Sequence, residues 1–412
     1  MSEQQTQTYF YQFIPVQYEA SAEDKEKILR EFPPPRLPDG EELFQIQEEA
    51  GGSNVKVRLL LNEYSVEVTK TNKQYLKMRF SNNAGTINTK MWDNQGSVEK
   101  TISLLEEYSV FDIEAKVDDY RGHKSLTINR IQPCTGEINP FSLLSYTRQD
   151  LKELTVELVS YLQELESPFK EISFAALRRF WDQFSIRPAA KGHHHNYLGG
   201  LLKHTVGLMR FTRYVVKFEE DHYQAVLKLI NCVEKAHKRD IWTQLNADEV
   251  KLQQLVWKDT IDHLYTMFYG MMPFKDSVPQ YDLLLTSILF HDIGKIFEYD
   301  HAGKKFAEFN FLYPTANTAH LASRKQTGII MDELGVMIGH IPYGVLMLTK
   351  VIESESIPVS LEDIHHMSHC ILCHHGLPEW GSCVSKPQTL EGYLIHIVDY
   401  LDSRYENTEA IK

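Results

Sequence analysis

The sequence predicts a two-part molecule: a small N-terminal β-barrel followed by a larger all-α domain. Three observations lead there. Between residues 54 and 135, short runs of alternating apolar and polar residues are separated by Asn, Gly and Asp, the texture of strands and turns. From about residue 145 to 405 that alternation gives way to helical spacing of Leu, Val and Ile. Charge changes with texture. Residues 1–53 hold 4 basic and 11 acidic side chains (net −7), residues 54–135 hold 12 basic and 10 acidic (net +2), and the remainder carries −8 of the chain's −13. The mildly basic module matters, because a polyanion is bound by neutralising its phosphates.

Composition excludes several classes. A chain of 412 residues with 42% apolar side chains can bury real cores and is neither disordered nor fibrous. The longest apolar run, "LLLTSILF" at 283–290, is far short of the ~18 residues needed to cross a bilayer. The opening "MSEQQTQTYF" lacks a basic region followed by an apolar core, and five cysteines make no disulfide framework. The expectation is a soluble, cytoplasmic protein with no membrane partner.

Residues 1–53 read as an acidic extension, with one short helix in "SAEDKEKILREF" before "PPPRLPDG", where proline forbids regular structure. Residues 54–135 then run "VKVRLLLNEYSVEV", "QYLKMRFS" and "GTINTKMW" as three strands, with "NNAG" a hairpin signal. "SVEKTISLLEE" is helical, and "YSVFDIEAKV" and "KSLTINRIQP" are two more strands. Three strands, a helix and two strands are the order of a five-stranded Greek-key barrel of the OB type. Such barrels hold single-stranded nucleic acid by base stacking and phosphate contacts. Tyr64, Tyr75 and Tyr120 are the candidate stacking residues, with Phe80 and Trp92 assigned to the barrel core.

Residues 145–405 read as helix throughout, with an apparent helical insertion near 221–280. Within this region stand His204, then His291–Asp292 behind a strongly apolar run, His340, His374–His375, and Asp399 among Leu394, Ile395, Ile397, Val398 and Leu401. A buried, unpartnered carboxylate is costly, and a metal centre would satisfy these groups together. A mixed His/carboxylate set suits Mn, Fe, Co, Ni or Zn without selecting among them. Lys295, three residues past Asp292 on the same helical face, is placed to meet a substrate phosphate or a leaving oxygen. Cys370-x-x-Cys373 is the germ of a zinc knuckle, but no second cysteine pair completes it. His263 is assigned to the surface, while His396 and Asp402 are read as structural or supporting groups, Asp402 being the rival of Asp399.

The order His…His-Asp…Asp resembles the HD phosphohydrolase superfamily over about residues 145–405. The stretches "PAAKGHHHNYLGGLLKHT", "HDIGK", "GHI" and "ILCHHGLPEWGS" narrow the likeness to the YhaM-type 3′→5′ exoribonucleases, which join an OB barrel to an HD domain. The resemblance implies metal ligation by His204, His291, Asp292, His340, His374, His375 and Asp399, with Asp292 bridging two divalent ions. It implies Mn²⁺ first, with Co²⁺, Fe²⁺, Ni²⁺ or Zn²⁺ as alternatives. His194 and His195 would face the substrate, and Asp292 and Lys295 would serve catalysis. The implied activity is 3′→5′ removal of nucleoside 5′-monophosphates from single-stranded RNA, with DNA and self-association left open. Two alternatives stand beside it: an HD hydrolase of nucleotides or cyclic dinucleotides, and a non-catalytic nucleic-acid adaptor or relaxase-like protein.

Overall fold

The computed structural model describes residues 7–35, 44–135, 143–190, 197–246, 257–300, 307–317, 330–380 and 386–406. The chain opens with a short hairpin of β1 (Thr8–Tyr9) and β2 (Ile14–Pro15), then helix α1 (Ala22–Glu31). Ser21 caps α1 by accepting from the Asp24 amide, and the Asp24 carboxylate accepts from the Ser21 amide in return, a capping box.

The barrel follows: β3 (Asn54–Val68), β4 (Gln74–Asn82), β5 (Gly85–Trp92), α2 (Ser97–Glu107), β6 (Val110–Tyr120) and β7 (His123–Pro133). The sheet closes in the order β3-β4-β5-β7-β6, with β6 returning to β3 and β5 running parallel to β7. This is the OB topology that the strand order predicts. Its interior is filled from alternate positions, among them Leu59, Leu76, Met78, Phe80, Ile87, Phe111, Ile113 and Leu126.

The helical region comprises α3 (Leu151–Gln163), α4 (Phe169–Phe184), α5 (Gly200–Arg213), α6 (His222–Asn246) and α7 (Trp257–Gly270). It continues with α8 (Tyr281–His291), α9 (Lys295–Glu298), β8 (Tyr299–Asp300) and α10 (Ala307–Leu312). β9 (Ile330–Met331), α11 (Gly335–Ile338), α12 (His340–Glu355), α13 (Leu361–Cys373) and α14 (Leu390–Tyr405) complete it. One large apolar core runs through this region. α8 lies at its centre: Leu283 to Phe290 are all buried, which is why the sequence there is apolar on every face.

The described residues before the barrel pack in two places. Tyr9, Phe10, Ile14, Val16, Ile28 and Phe32 are buried in the helical core, and Trp181 donates from Nε1 to the Pro33 carbonyl at 2.7 Å. Residues 44–49 instead lie on the barrel, where Ile46 joins its core and Lys124 Nζ donates to the Gln47 and Glu49 carbonyls at 2.6 Å. Within the segment 221–280, Tyr223, Val226, Leu229, Ile230 and Val233 of α6 sit in the same large core. Among the described residues, no helix is long and apolar enough to cross a membrane.

The barrel meets the helical region where Leu60 and Val110 pack against Leu143, Leu144 and Leu198. Leu198 donates its amide to the Ser145 carbonyl at 2.8 Å, and Thr147 donates to the Leu198 carbonyl at 2.9 Å. These bonds fix the entry to α5, the helix that carries His204.

Candidate metal centre

Five helices converge on one buried point. α5 supplies His204, α8 ends at His291 with Asp292 next, and α12 opens with His340. α13 ends just before His374 and His375, and α14 supplies Asp399. A Cβ on Gly294 would overlap the His340 carbonyl oxygen, so only glycine lets the turn after Asp292 pass so close to the start of α12.

Three imidazoles are hydrogen-bonded from behind, and the fourth, His340, stands beside a carboxylate. Nδ1 of His291 lies 2.6 Å from the Ile288 carbonyl, and Nδ1 of His374 lies 2.7 Å from that of Ile371. Nδ1 of His204 is 2.7 Å from Asp402 Oδ2, and Nδ1 of His340 is 2.7 Å from Glu298 Oε2. A histidine whose Nδ1–H is engaged in this way presents Nε2 as a free electron pair, the arrangement common to metal-ligating imidazoles.

All four Nε2 atoms face Asp292, and they divide between its two oxygens. Oδ2 is 3.5 Å from His204 and 3.4 Å from His291, while Oδ1 is 3.5 Å from His340 and 3.8 Å from His374. Asp399 Oδ1 stands 3.1 Å from His204 Nε2. Three donor groups have ligand atoms within 4.8 Å of one another: His204/His291/Asp399, His291/Asp292/His374 and His340/His374/His375. Asp292 Oδ1, His340 Nε2 and His374 Nε2 are buried with no hydrogen-bond partner. Orphaned acceptors facing one another across a few ångströms are what a cation would satisfy, so the residues fit divalent metal.

Electrostatics agree. Burial alone would raise the pKa of Asp292, but Lys295 first, then His291 and His340, hold it far below the usual carboxylate range. Burial would likewise raise Asp399, and His204 outweighs it and pulls the pKa down. Burial pushes His374 well below neutrality with help from His375, and pushes His375 down to about 4 with help from His340. His204 is the exception: burial lowers it, yet Asp399 and Asp402 lift it to about 10. Anionic carboxylates beside the neutral imidazoles of His374 and His375 make a cation-seeking pocket.

Lys295 lies 2.5 Å from both Asp292 Oδ2 and the Ala189 carbonyl and is buried. It holds the carboxylate and the Ala189 backbone, and its ammonium is spoken for by these two acceptors. His194 and His195 fall outside the described residues. Cys370 and Cys373 are buried in the core, and none of the donor groups among the described residues includes them.

On the barrel, Phe80 is in the core as expected, but Trp92 is not. β5 turns Ile87, Thr89 and Met91 inward, so Asn88, Lys90 and Trp92 face out. Trp92 is 39% exposed, and its ring centroid lies 5.1 Å from that of Tyr75 on the neighbouring strand. Lys90 Nζ stands 5.9 Å over the Trp92 ring, and Lys77 is in register with Lys90. Tyr64 pairs with Met78, so it points to the opposite face of the sheet and emerges beyond the barrel interior. Tyr120 is exposed at the end of the β6–β7 hairpin, with the Arg121 guanidinium 5.3 Å from its ring. Sequence reading also missed Glu298, Tyr9 and the burial of His263, whose Nε2 lies 2.7 Å from His396 Nε2.

Comparison with known proteins adds an independent line. The model of the HD domain family matches residues 260–404, which contain His291, Asp292, His340, His374, His375 and Asp399. The chain is 22% identical over 356 residues to "3′-5′ exoribonuclease YhaM" of Listeria welshimeri, covering 85% of this chain and 86% of that one. It is 21% identical over 356 residues to the protein of the same name from Bacillus subtilis, covering 86% of each chain. The chain is also similar to the second OB-fold domain of replication protein A from Methanococcus maripaludis. That match has 10% identity, a TM-score of 0.17, and covers 23% of this chain and 97% of the other; the barrel assignment rests on strand order instead. A barrel of OB topology, an HD match around the histidine cluster and similarity along most of both chains make the chain similar to the YhaM-type exoribonucleases and support a metal-dependent hydrolase.

Proposed function

We propose that the protein is a 3′→5′ exoribonuclease that releases nucleoside 5′-monophosphates from single-stranded RNA in the cytoplasm, with Mn²⁺ as its working ion. One observation carries the reading: the two oxygens of Asp292 are divided between two histidine pairs. That is the shape of a site for two ions sharing one carboxylate. His204, His291 and Asp399 would hold one ion and His340, His374 and His375 the other, with Asp292 placed beside both groups. Divalent ions bound there supply Lewis-acid activation of the attacking water and neutralise charge on the phosphoryl oxygens.

The chain's own groups prepare this chemistry. Lys295 keeps Asp292 ionised and in place. Asp402 fixes the ring of His204, and Glu298 stands 2.7 Å from Nδ1 of His340. The outward face of the barrel, with Tyr75 and Trp92 as a base-stacking platform and Lys77 and Lys90 beside them, suits a single strand. The polymer and the direction of attack are taken from the relatives' name.

The test uses 5′-labelled RNA and DNA with Mn²⁺, and EDTA as control. RNA should shorten as a descending ladder from the 3′ end, and a 3′-phosphate should slow it. Asp292→Ala should lower turnover on the order of a thousandfold or more, since metal activation is worth several kcal/mol, while leaving the helical circular dichroism intact. Internal cuts, or a preference for free nucleotides over oligomers, would overturn the exonuclease reading. The latter would point to a nucleotide phosphohydrolase.

A further inference from the structure

Behind His204 stands a second layer of buried polar groups that begins at the other end of the chain. Asp402 is fully buried and uses both its oxygens. Oδ2 receives His204 Nδ1, and Oδ1 receives the hydroxyl of Tyr9. The Tyr9 ring is itself fixed. It packs edge-on against Phe211 with centroids 5.5 Å apart, and the Arg210 guanidinium lies 4.8 Å from its centroid. Arg210 in turn makes two 2.7 Å bonds to Glu157, so it is held as firmly as the ring it covers. Space is reserved for the contact. Gly207 lies one turn beyond His204 on α5, and a Cβ there would overlap both Asp402 Oδ1 and the Tyr9 hydroxyl oxygen.

We propose that Tyr9 is a positioning residue of the metal centre: its hydroxyl fixes one oxygen of Asp402 so that the other holds the His204 ring, with Nε2 aimed at Asp292 and Asp399. A carboxylate held at one oxygen can swing about its Cβ–Cγ bond, whereas one held at both presents a fixed acceptor to the imidazole. The segment before the barrel is thereby a working part of the hydrolytic domain. Groups that orient a ligating histidine typically alter metal affinity 10–100-fold when removed.

The inference rests on the two-ion reading, and the experiment separates the two. Metal-stripped full-length protein is titrated calorimetrically with Mn²⁺ as wild type, Tyr9→Phe and Phe10→Leu. Tyr9→Phe keeps the ring and removes the hydroxyl. It should weaken one of two Mn²⁺ sites about tenfold or more and leave the other unchanged. Turnover should fall at limiting Mn²⁺ and recover with excess, with KM for RNA unaltered. Phe10→Leu loosens the same hairpin without touching the hydroxyl, so it should lower Tm but not Mn²⁺ affinity. Wild-type affinity at both sites in Tyr9→Phe overturns the inference. A wild type that takes up no Mn²⁺ overturns the two-ion reading, and this inference with it.

A second measurement needs no variant. Coupling is reciprocal, so if Tyr9 supports the ion, the ion must stabilise the hairpin. Amide hydrogen exchange over residues 8–16 of the wild type should slow when Mn²⁺ is added. Unchanged exchange there, alongside protection at α8 and α14, overturns the role of Tyr9 even where Tyr9→Phe fails to fold.

Discussion

At the residue scale, the donor atoms of the centre were legible because their types are unusual where they stand. His291 and Asp292 end an otherwise apolar helix, and Asp399 interrupts another. Glu298 and Tyr9 were not legible, since one glutamate and one tyrosine carry no pattern; only the fold shows that they touch His340 and Asp402. His263 was illegible for a related reason: helical spacing gives a face but not the neighbour that covers it. It makes a prediction of its own. Burial first, then His396 and Arg404, push its pKa down to about 4. The unfolded chain, with an ordinary pKa near ~6.5, therefore binds this proton more readily than the folded one. This site contributes a loss of stability that grows as pH falls from about 6.5 to about 4 and then levels off. Metal-free protein should show its Tm falling across that window. The fall should be smaller in His263→Gln, and an equal fall in both would remove His263 as the source.

At the element scale, the barrel strands could be read almost to the residue, since period-two alternation marks them directly and "NNAG" marks a turn. What alternation leaves open is phase at a strand end. Trp92 could be assigned inward on grounds of size, yet the buried set Ile87, Thr89 and Met91 fixes it outward. The consequence is that Tyr75 and Trp92 act as a pair. Replacing both by alanine should raise KM for long RNA at least tenfold, since stacking is worth roughly 1–3 kcal/mol per base, and should leave dinucleotide turnover near wild type. Equal losses on long and short substrates would show that the pair supports the fold instead of the strand. Tyr64, which projects to the other face, should tolerate the same change on long RNA.

At the scale of the whole molecule, the acidic N-terminal stretch was the least legible part. Its one apolar run, "YFYQFIPV" at 9–16, is short and without helical or strand periodicity, so nothing local announces that six residues of the stretch are buried in the helical core. Each large apolar side chain so buried is worth about 1.5–3 kcal/mol. Six amount to on the order of 10 kcal/mol gross, comparable with the ~5–15 kcal/mol net stability of a typical domain. Deleting residues 1–33 should therefore unfold the helical region or lower its Tm steeply, where removal of a mere acidic tail would only ease repulsion of RNA at low salt. Thermal unfolding of the truncated chain decides between them, and an unchanged Tm would contradict the packing described above.

The bond from Tyr9 to Asp402 spans 393 positions. During synthesis the hairpin leaves the ribosome before the α14 segment it must meet. The barrel between them can fold meanwhile on contacts that all lie within residues 44–135. The candidate metal centre cannot close until α14 has emerged, and the closure must pay for a loop of 393 positions. A ribosome-bound fragment ending before α14 would carry a folded barrel but no assembled metal centre, so translation itself would withhold the centre until α14 emerges.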